Sequence, residues 1–193
     1  MDITQNLEKE KMDRAKKMML WFGIVSLLMA FAGWTSAYIV SSTRKDWLAD
    51  FDLPSAFLYS TVVIVISSIT YILAKKAIKE GRSQRCTSFL LTTLVLGIIF
   101  IFLQFYGFSQ MVDQGYYFTG PTSSITTSYI FVIAVVHIAH VIAGLASLSV
   151  VLFNQWRHKY SANNMLGLEL GATFWHFLDL LWVYLILFFY FFS

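Results

Sequence analysis

Five side chains able to do chemistry stand inside two long apolar runs near the C-terminus: His137 and His140 in one, Glu169, His176 and Asp179 in the other. Positions i, i+3 and i+7 share one side of a helix, so His137, His140 and Gly144 line up, and so do Glu169, His176 and Asp179. Three chemistries fit such a pattern. Paired histidines ligate haem or copper, intramembrane acids and histidines relay protons, and a hydrogen-bonded polar seam holds two helices together. For ligation, His137 and His140 lie on a single helix and only His176 is available opposite. Met111 and Met165 fall in expected loops, and the lone cysteine, Cys86, sits among Arg82, Arg85 and Thr87, which reads as a polar loop. No catalytic residue and no metal ligand is therefore assigned, and the five side chains read as a structural seam. An ionised carboxylate facing lipid would cost several kcal/mol, so Asp179 must face protein, water or a partner. A pair between Asp179 and His140 or His137 is the expectation. Glu169 lies near a membrane interface, where a carboxylate reaches water, and Trp175, Trp182 and Tyr184 read as packing or interface anchors.

The elements that carry these residues follow from composition. The chain has 193 residues, 58% hydrophobic and only 13% charged, about half the charge density that dresses a soluble domain. A helix needs about 20 apolar residues to cross the hydrocarbon core. Five stretches qualify: Met18–Val40, Ser55–Leu73, Phe89–Phe108, Ser128–Phe153 and Leu168–Phe192. The runs are continuous rather than alternating, and a lipid-exposed backbone must satisfy its own hydrogen bonds. The expected fold is all-α, a polytopic bundle of five transmembrane helices over residues 18–193, preceded by an arm over residues 1–17. Seventeen mixed-charge residues before the first apolar run argue against a cleaved signal. The arm is either a short surface helix, with Glu10–Arg14 and Asp13–Lys17 spaced four apart, or a solvated tail.

Lys and Arg cluster in the arm, the second connection (Lys75, Lys76, Lys79, Arg82, Arg85) and the fourth (Arg157, Lys159), against only Arg44 and Lys45 on the other side. By the positive-inside rule the N-terminus lies in the cytoplasm and the C-terminus outside, as in a multi-pass protein of the inner (plasma) membrane. The same clustering accounts for the net charge of +3 without nucleic acid, for which a basic stripe with exposed aromatics is lacking. The third connection, Ser109 to Thr127, carries Gly115, Gly120 and Pro121 and reads as an external turn-rich segment. In the first span Gly23, Ser26, Ala30, Gly33 and Ala37 recur at steps of three and four. Small residues let backbones approach closely in lipid, so that face is expected to contact another helix, of this chain or of a partner. A free-standing small transporter or channel would show broken helices or an inverted repeat, and neither is present. A haem-binding membrane electron carrier would need opposed axial ligands.

His137-Ile-Ala-His140-Val141-Ile-Ala-Gly144 resembles the H-x-x-H-V-x-x-G motif of haem-copper (cytochrome c type) oxidase subunit III. Glu169 to Trp182, with Trp175-His176-Phe177-Leu178-Asp179 inside it, resembles that family's E-x-x-x-x-x-W-H-F-x-D-x-x-W signature. The order and spacing of the two motifs match as well. Upstream similarity is weaker, at Ser26, at Ala37-Tyr38 and at Gln104. The resemblance implies the short, five-helix form of the family. Such a subunit is non-catalytic, holds no haem or copper of its own and flanks subunit I, the haem and copper carrier, alongside subunit II and other respiratory-complex subunits. It binds phospholipid and supports proton uptake, while the complex reduces O₂ to water with electrons from cytochrome c or quinol and pumps protons. Two positions depart from the family. Leu27 stands where an acid is common, and Asn154 where an arginine often meets a lipid phosphate, with Arg157 one turn on. Arg157, Trp175 and Trp182 are the candidate lipid contacts.

Overall fold

Among the described residues the chain forms five helices, α1 (Ile3–Ser41), α2 (Ser55–Lys79), α3 (Ser83–Asp113), α4 (Ile125–Trp156) and α5 (Leu166–Phe192). They belong to a computed structural model that describes residues 3–45, 47–48, 53–120, 123–161 and 164–192. All five are long and apolar enough to cross a membrane, so the chain is a multi-pass membrane protein. Helices spanning in series alternate in direction, which puts the N-terminal end of α1, the α2–α3 turn and the α4–α5 connection on one face.

The helices α1, α2 and α3 outrun their apolar stretches by more than a turn at one or both ends, because an intrahelical ladder satisfies the backbone in water as well as in lipid. The largest difference is at the N-terminus. The arm is neither a separate surface helix nor a tail, since residues 3–17 continue into the first span as one 39-residue helix. Nothing between Glu8 and Phe22 interrupts it: there is no proline or glycine there, and Glu, Lys, Met, Leu and Arg are strong helix formers. Arg14 approaches Glu10 at 4.0 Å. Lys17 reaches across to Glu169 of α5 at 3.7 Å rather than to Asp13.

Glycine sets two of the turns. Gly81 (φ 72°) and Gly115 (φ 86°) adopt the left-handed conformation. Arg82 N–H then bonds Ala77 O at 2.9 Å and Tyr116 N–H bonds Met111 O at 2.9 Å, the pattern that closes a helix C-terminus. Because the α2–α3 turn is only three residues long, Cys86 is not in a polar loop. It lies in the first turns of α3, fully buried, on the face that continues through Leu90, Thr93 and Gly97. The segment Ser109 to Asp113 is likewise helix rather than loop, and Pro121 lies outside the described residues.

α2 and α3 share the most extensive contact, α5 packs against α1, α2 and α4, and among the described residues α1 touches only α4 and α5. The inward side of α1 is Ile24, Phe31, Thr35 and Tyr38. Gly23, Ser26, Ala30 and Gly33 point away from the bundle and are exposed, with Ala37 half-buried. A Cβ placed on Gly23 or Gly33 would meet nothing within 4 Å. Of the two occupants expected for that face, no helix of this chain covers it among the described residues.

Candidate functional site

α5 brings its polar and aromatic groups against a row of hydroxyls on α2. Trp175 donates from its indole N–H to Ser67 Oγ at 2.8 Å, and Trp182 donates to Thr61 Oγ1 at 3.1 Å. Beside Trp175, His176 Nδ1 meets Ser68 Oγ at 2.6 Å. The two tryptophans are seven residues apart and meet hydroxyls six apart on an antiparallel helix, so two turns of one rod match two turns of the other. Further along α2, Ser60 accepts from Gln104 Nε2 of α3 at 2.8 Å, and Thr70 shares a hydrogen bond with Thr93 at 2.8 Å. None of these α2 hydroxyls was singled out from the sequence. The available signal was the seven-residue repeat of Ser60/Thr61 and Ser67/Ser68.

Trp175 and Trp182 are 1% and 0% exposed. They are core residues and not lipid contacts, because their indole N–H groups need partners that only the bundle interior supplies. Arg157 is exposed beyond the end of α4, its guanidinium 4.4 Å from the centre of the Phe153 ring.

The histidines of α4 do different work. His137 is fully buried among aromatic rings of three other helices. It stacks on Trp182 at 5.1 Å and meets the edges of Phe31 and Phe100 at 6.2 and 6.1 Å, and neither ring nitrogen has a hydrogen-bond partner. His140 is half-buried, with Nδ1 2.7 Å from the carbonyl oxygen of Val136 one turn back. Gly144 admits α5: a Cβ there would lie 2.8 Å from Leu178 Cδ1 and 3.3 Å from the Trp175 ring.

Asp179 is 4% exposed, so it faces protein. It does not pair with His137 or His140, and neither carboxylate oxygen makes a hydrogen bond. The side chain turns toward Ser68 of α2, whose hydroxyl also meets His176, while His137 is enclosed by rings. A buried polar group without a partner keeps its desolvation cost, and an apolar replacement of similar shape removes it. Asp179→Leu is therefore expected to leave the isolated chain as stable or to stabilise it by about 1–3 kcal/mol. Chemical denaturation in detergent measures this, and a loss of stability would point to a partner for the carboxylate.

Glu169 sits at the start of α5 beside Lys17, with Lys75, Leu20, Trp21, Leu170 and Thr173 around the same pocket. In the α4–α5 connection Tyr160 packs over Gly167, where a Cβ would come 2.5 Å from its hydroxyl. Burial raises the Tyr160 pKa from its ordinary value, against a hydrogen bond with Asn154 that lowers it. Among the described residues no group of three or more His, Cys, Asp and Glu converges as a metal site would require. Trp175, His176, Trp182 and Gln104 join helices through hydroxyls of α2, whereas His137 and Asp179 make no hydrogen bond and His140 bonds its own helix.

The family model described as cytochrome c oxidase subunit III matches residues 46–193. A cytochrome bo(3) ubiquinol oxidase subunit 3 of Pseudomonas aeruginosa is 32% identical over 133 residues, 69% of this chain and 62% of that protein. A cytochrome c oxidase subunit 3 of Lumbricus terrestris is 32% identical over 67% of this chain and 48% of its own length. One from Spodoptera frugiperda is 32% identical over 66% of this chain and 83% of its own. The chain thus spans about half to five-eighths of the first two relatives. The matched region takes in α2 to α5, with the His137–Gly144 and Glu169–Trp182 segments that meet at Gly144, Trp175 and Leu178, and the chain belongs to the cytochrome c oxidase subunit III family.

Proposed function

We propose that the chain is a non-catalytic accessory subunit of a respiratory haem-copper terminal oxidase, a complex that reduces O₂ to water and couples this to proton pumping. The observation that carries the reading is the family match across residues 46–193. In this reading the subunit lies in the inner (plasma) membrane with its N-terminus in the cytoplasm. It holds no haem or copper, packs directly against the haem- and copper-bearing subunit I in company with subunit II, retains phospholipid and supports proton uptake. Two features support the division of labour: the indole N–H groups of Trp175 and Trp182 on α5 are spent on α2, and the small-residue face of α1 is left open to a partner. In lipid, close backbone approach drives helix association, and Gly23, Ser26, Ala30 and Gly33 offer it.

Gentle purification through a tag on this chain tests the reading. Co-elution of a large subunit containing haem and copper is the expected result, and a lone 22.1 kDa species would contradict it. The double substitution Ala30→Leu, Gly33→Leu should cut the co-eluting haem protein by about tenfold, equivalent to some 1.4 kcal/mol of association, with the thermal stability of the isolated chain unchanged. Equal recovery from the variant would move the interface off this face.

A further inference from the structure

We propose that α1 is a lever, hinged on the bundle at its Ser41 end and latched toward its other end by Lys17 on Glu169. It swings from α5 when Glu169 exchanges Lys17 for Lys75.

The attachments of α1 are unevenly placed. Among the described residues, the hydrogen bonds that join it to other helices all lie between Thr35 and Ser41. Thr35 shares one with Tyr184 at 3.0 Å, Tyr38 donates to Phe192 O at 3.4 Å, and Ser41 donates to the Tyr129 hydroxyl at 3.1 Å. Tyr38 also meets the rings of Trp47, Phe188 and Phe189. One turn before Thr35, Phe31 still packs on His137 and His140. Between Lys17 and Phe31 only Ile24 is buried. Over that stretch α1 and α5 stand apart around two cavities. One, of about 340 Å³, has Leu28 and Ala32 on one wall and Phe177 and Leu180 on the other. The second, of about 220 Å³, has Lys17, Leu20 and Trp21 facing Glu169 and Thr173. Helices associate in lipid through close packing, and a gap forfeits it. The Lys17 half of α1 is therefore held chiefly by its ion pair.

That pair is a weak latch. Lys17 and Glu169 are 3.7 Å apart with both side chains more than a third exposed, and exposed pairs contribute little. Lys75 of α2 borders the same cavity and is half-buried. It has no carboxylate within ion-pair distance among the described residues. Glu169 thus has a second cation to turn to, so its charge stays matched when α1 moves off. One carboxylate with two competing partners makes a two-state element. Lys17 lies eighteen residues from Thr35, about 27 Å of rise, so a tilt of about 10° displaces it by about 5 Å.

The lever belongs to this chain alone and does not rest on the oxidase reading. Nitroxide pairs on the full chain in detergent, read by double electron–electron resonance, test it. Lys16→Cys with Arg157→Cys spans the Lys17 end, and Val40→Cys with Tyr190→Cys spans the hinge; all four positions are exposed. Cys86 is fully buried, out of reach of the label. The distance distribution should be at least about twofold broader at the Lys17 end. Lys17→Gln should raise the share of long distances there about two- to fivefold. Lys75→Gln, which removes the competing cation, should lower that share, and neither variant should alter the hinge pair. Equal widths at the two ends, no shift in Lys17→Gln, or shifts of the same sign in both variants overturn the proposal. A change at the hinge pair also overturns it, because the Ser41 end would then not be fixed.

Discussion

Trp182→Ala is expected to destabilise the chain by about 3–5 kcal/mol, the range for emptying a large buried aromatic site. The indole is completely buried and lies between four helices. It stacks on His137 of α4, meets the edges of Phe57 of α2 at 5.9 Å and Phe100 of α3 at 5.4 Å, and donates to Thr61. Lipid tails are as apolar as the interior, so the loss is one of packing contacts more than of transfer from water. Thr61→Ala removes the hydrogen bond and one methyl group of a half-buried side chain and should cost about 0.6–1.7 kcal/mol. Denaturation curves of both variants in one detergent check the pair of values. A Trp182→Ala loss no larger than that of Thr61→Ala would mean the ring is not the joint between these helices.

Gly97→Leu should cost at least about 3 kcal/mol, beyond the usual range for adding a methylene to a packed core. A Cβ on Gly97 would already stand 2.7 Å from both Leu145 Cδ2 and Trp175 Cη2. Leu145 is only partly buried and has room to yield. Trp175 has none, since it is 1% exposed, fixed by its bond to Ser67 and backed by Gly144. A leucine would push α3 away from α4 and α5, and the expected readout is a lowered unfolding midpoint with loss of the native tryptophan near-ultraviolet signal. Gly97→Ala, whose methyl group carries the same first clash and no more, should fall between the parent and the leucine variant. Parent-like stability in Gly97→Leu would show that the contact at Trp175 is loose.

The five spans were legible because an apolar run of membrane length has one stable solution. Their ends were not. Lys75, Lys76 and Lys79 read as a loop by charge yet continue α2, since a helix ends where glycine turns the chain and not where hydrophobicity stops. Cys86 was misplaced for the same reason. Membership of a shared face was also legible: His137 with Gly144, and His176 with Asp179, do project from common sides. Which groups bond across the faces was not. The sequence reading paired Asp179 with a histidine by matching depth along the helices, but rotation about the helix axes turns Asp179 to α2 and His137 into a cluster of rings. The α2 hydroxyls escaped notice because serine and threonine in any helix satisfy themselves on their own backbone, as Ser60 and Thr61 also do here on Phe57 O at 2.8 Å. The small-residue stripe of α1 was visible as a packing face, and only the fold tells that no helix of this chain covers it among the described residues.

The most direct test of the accessory role is to strip this subunit from the purified complex with detergent and follow haem absorbance, iron and copper in both fractions. The account predicts that the Soret band and both metals remain with the depleted complex, while the released chain carries neither. A Soret band or stoichiometric copper travelling with the released chain would contradict it.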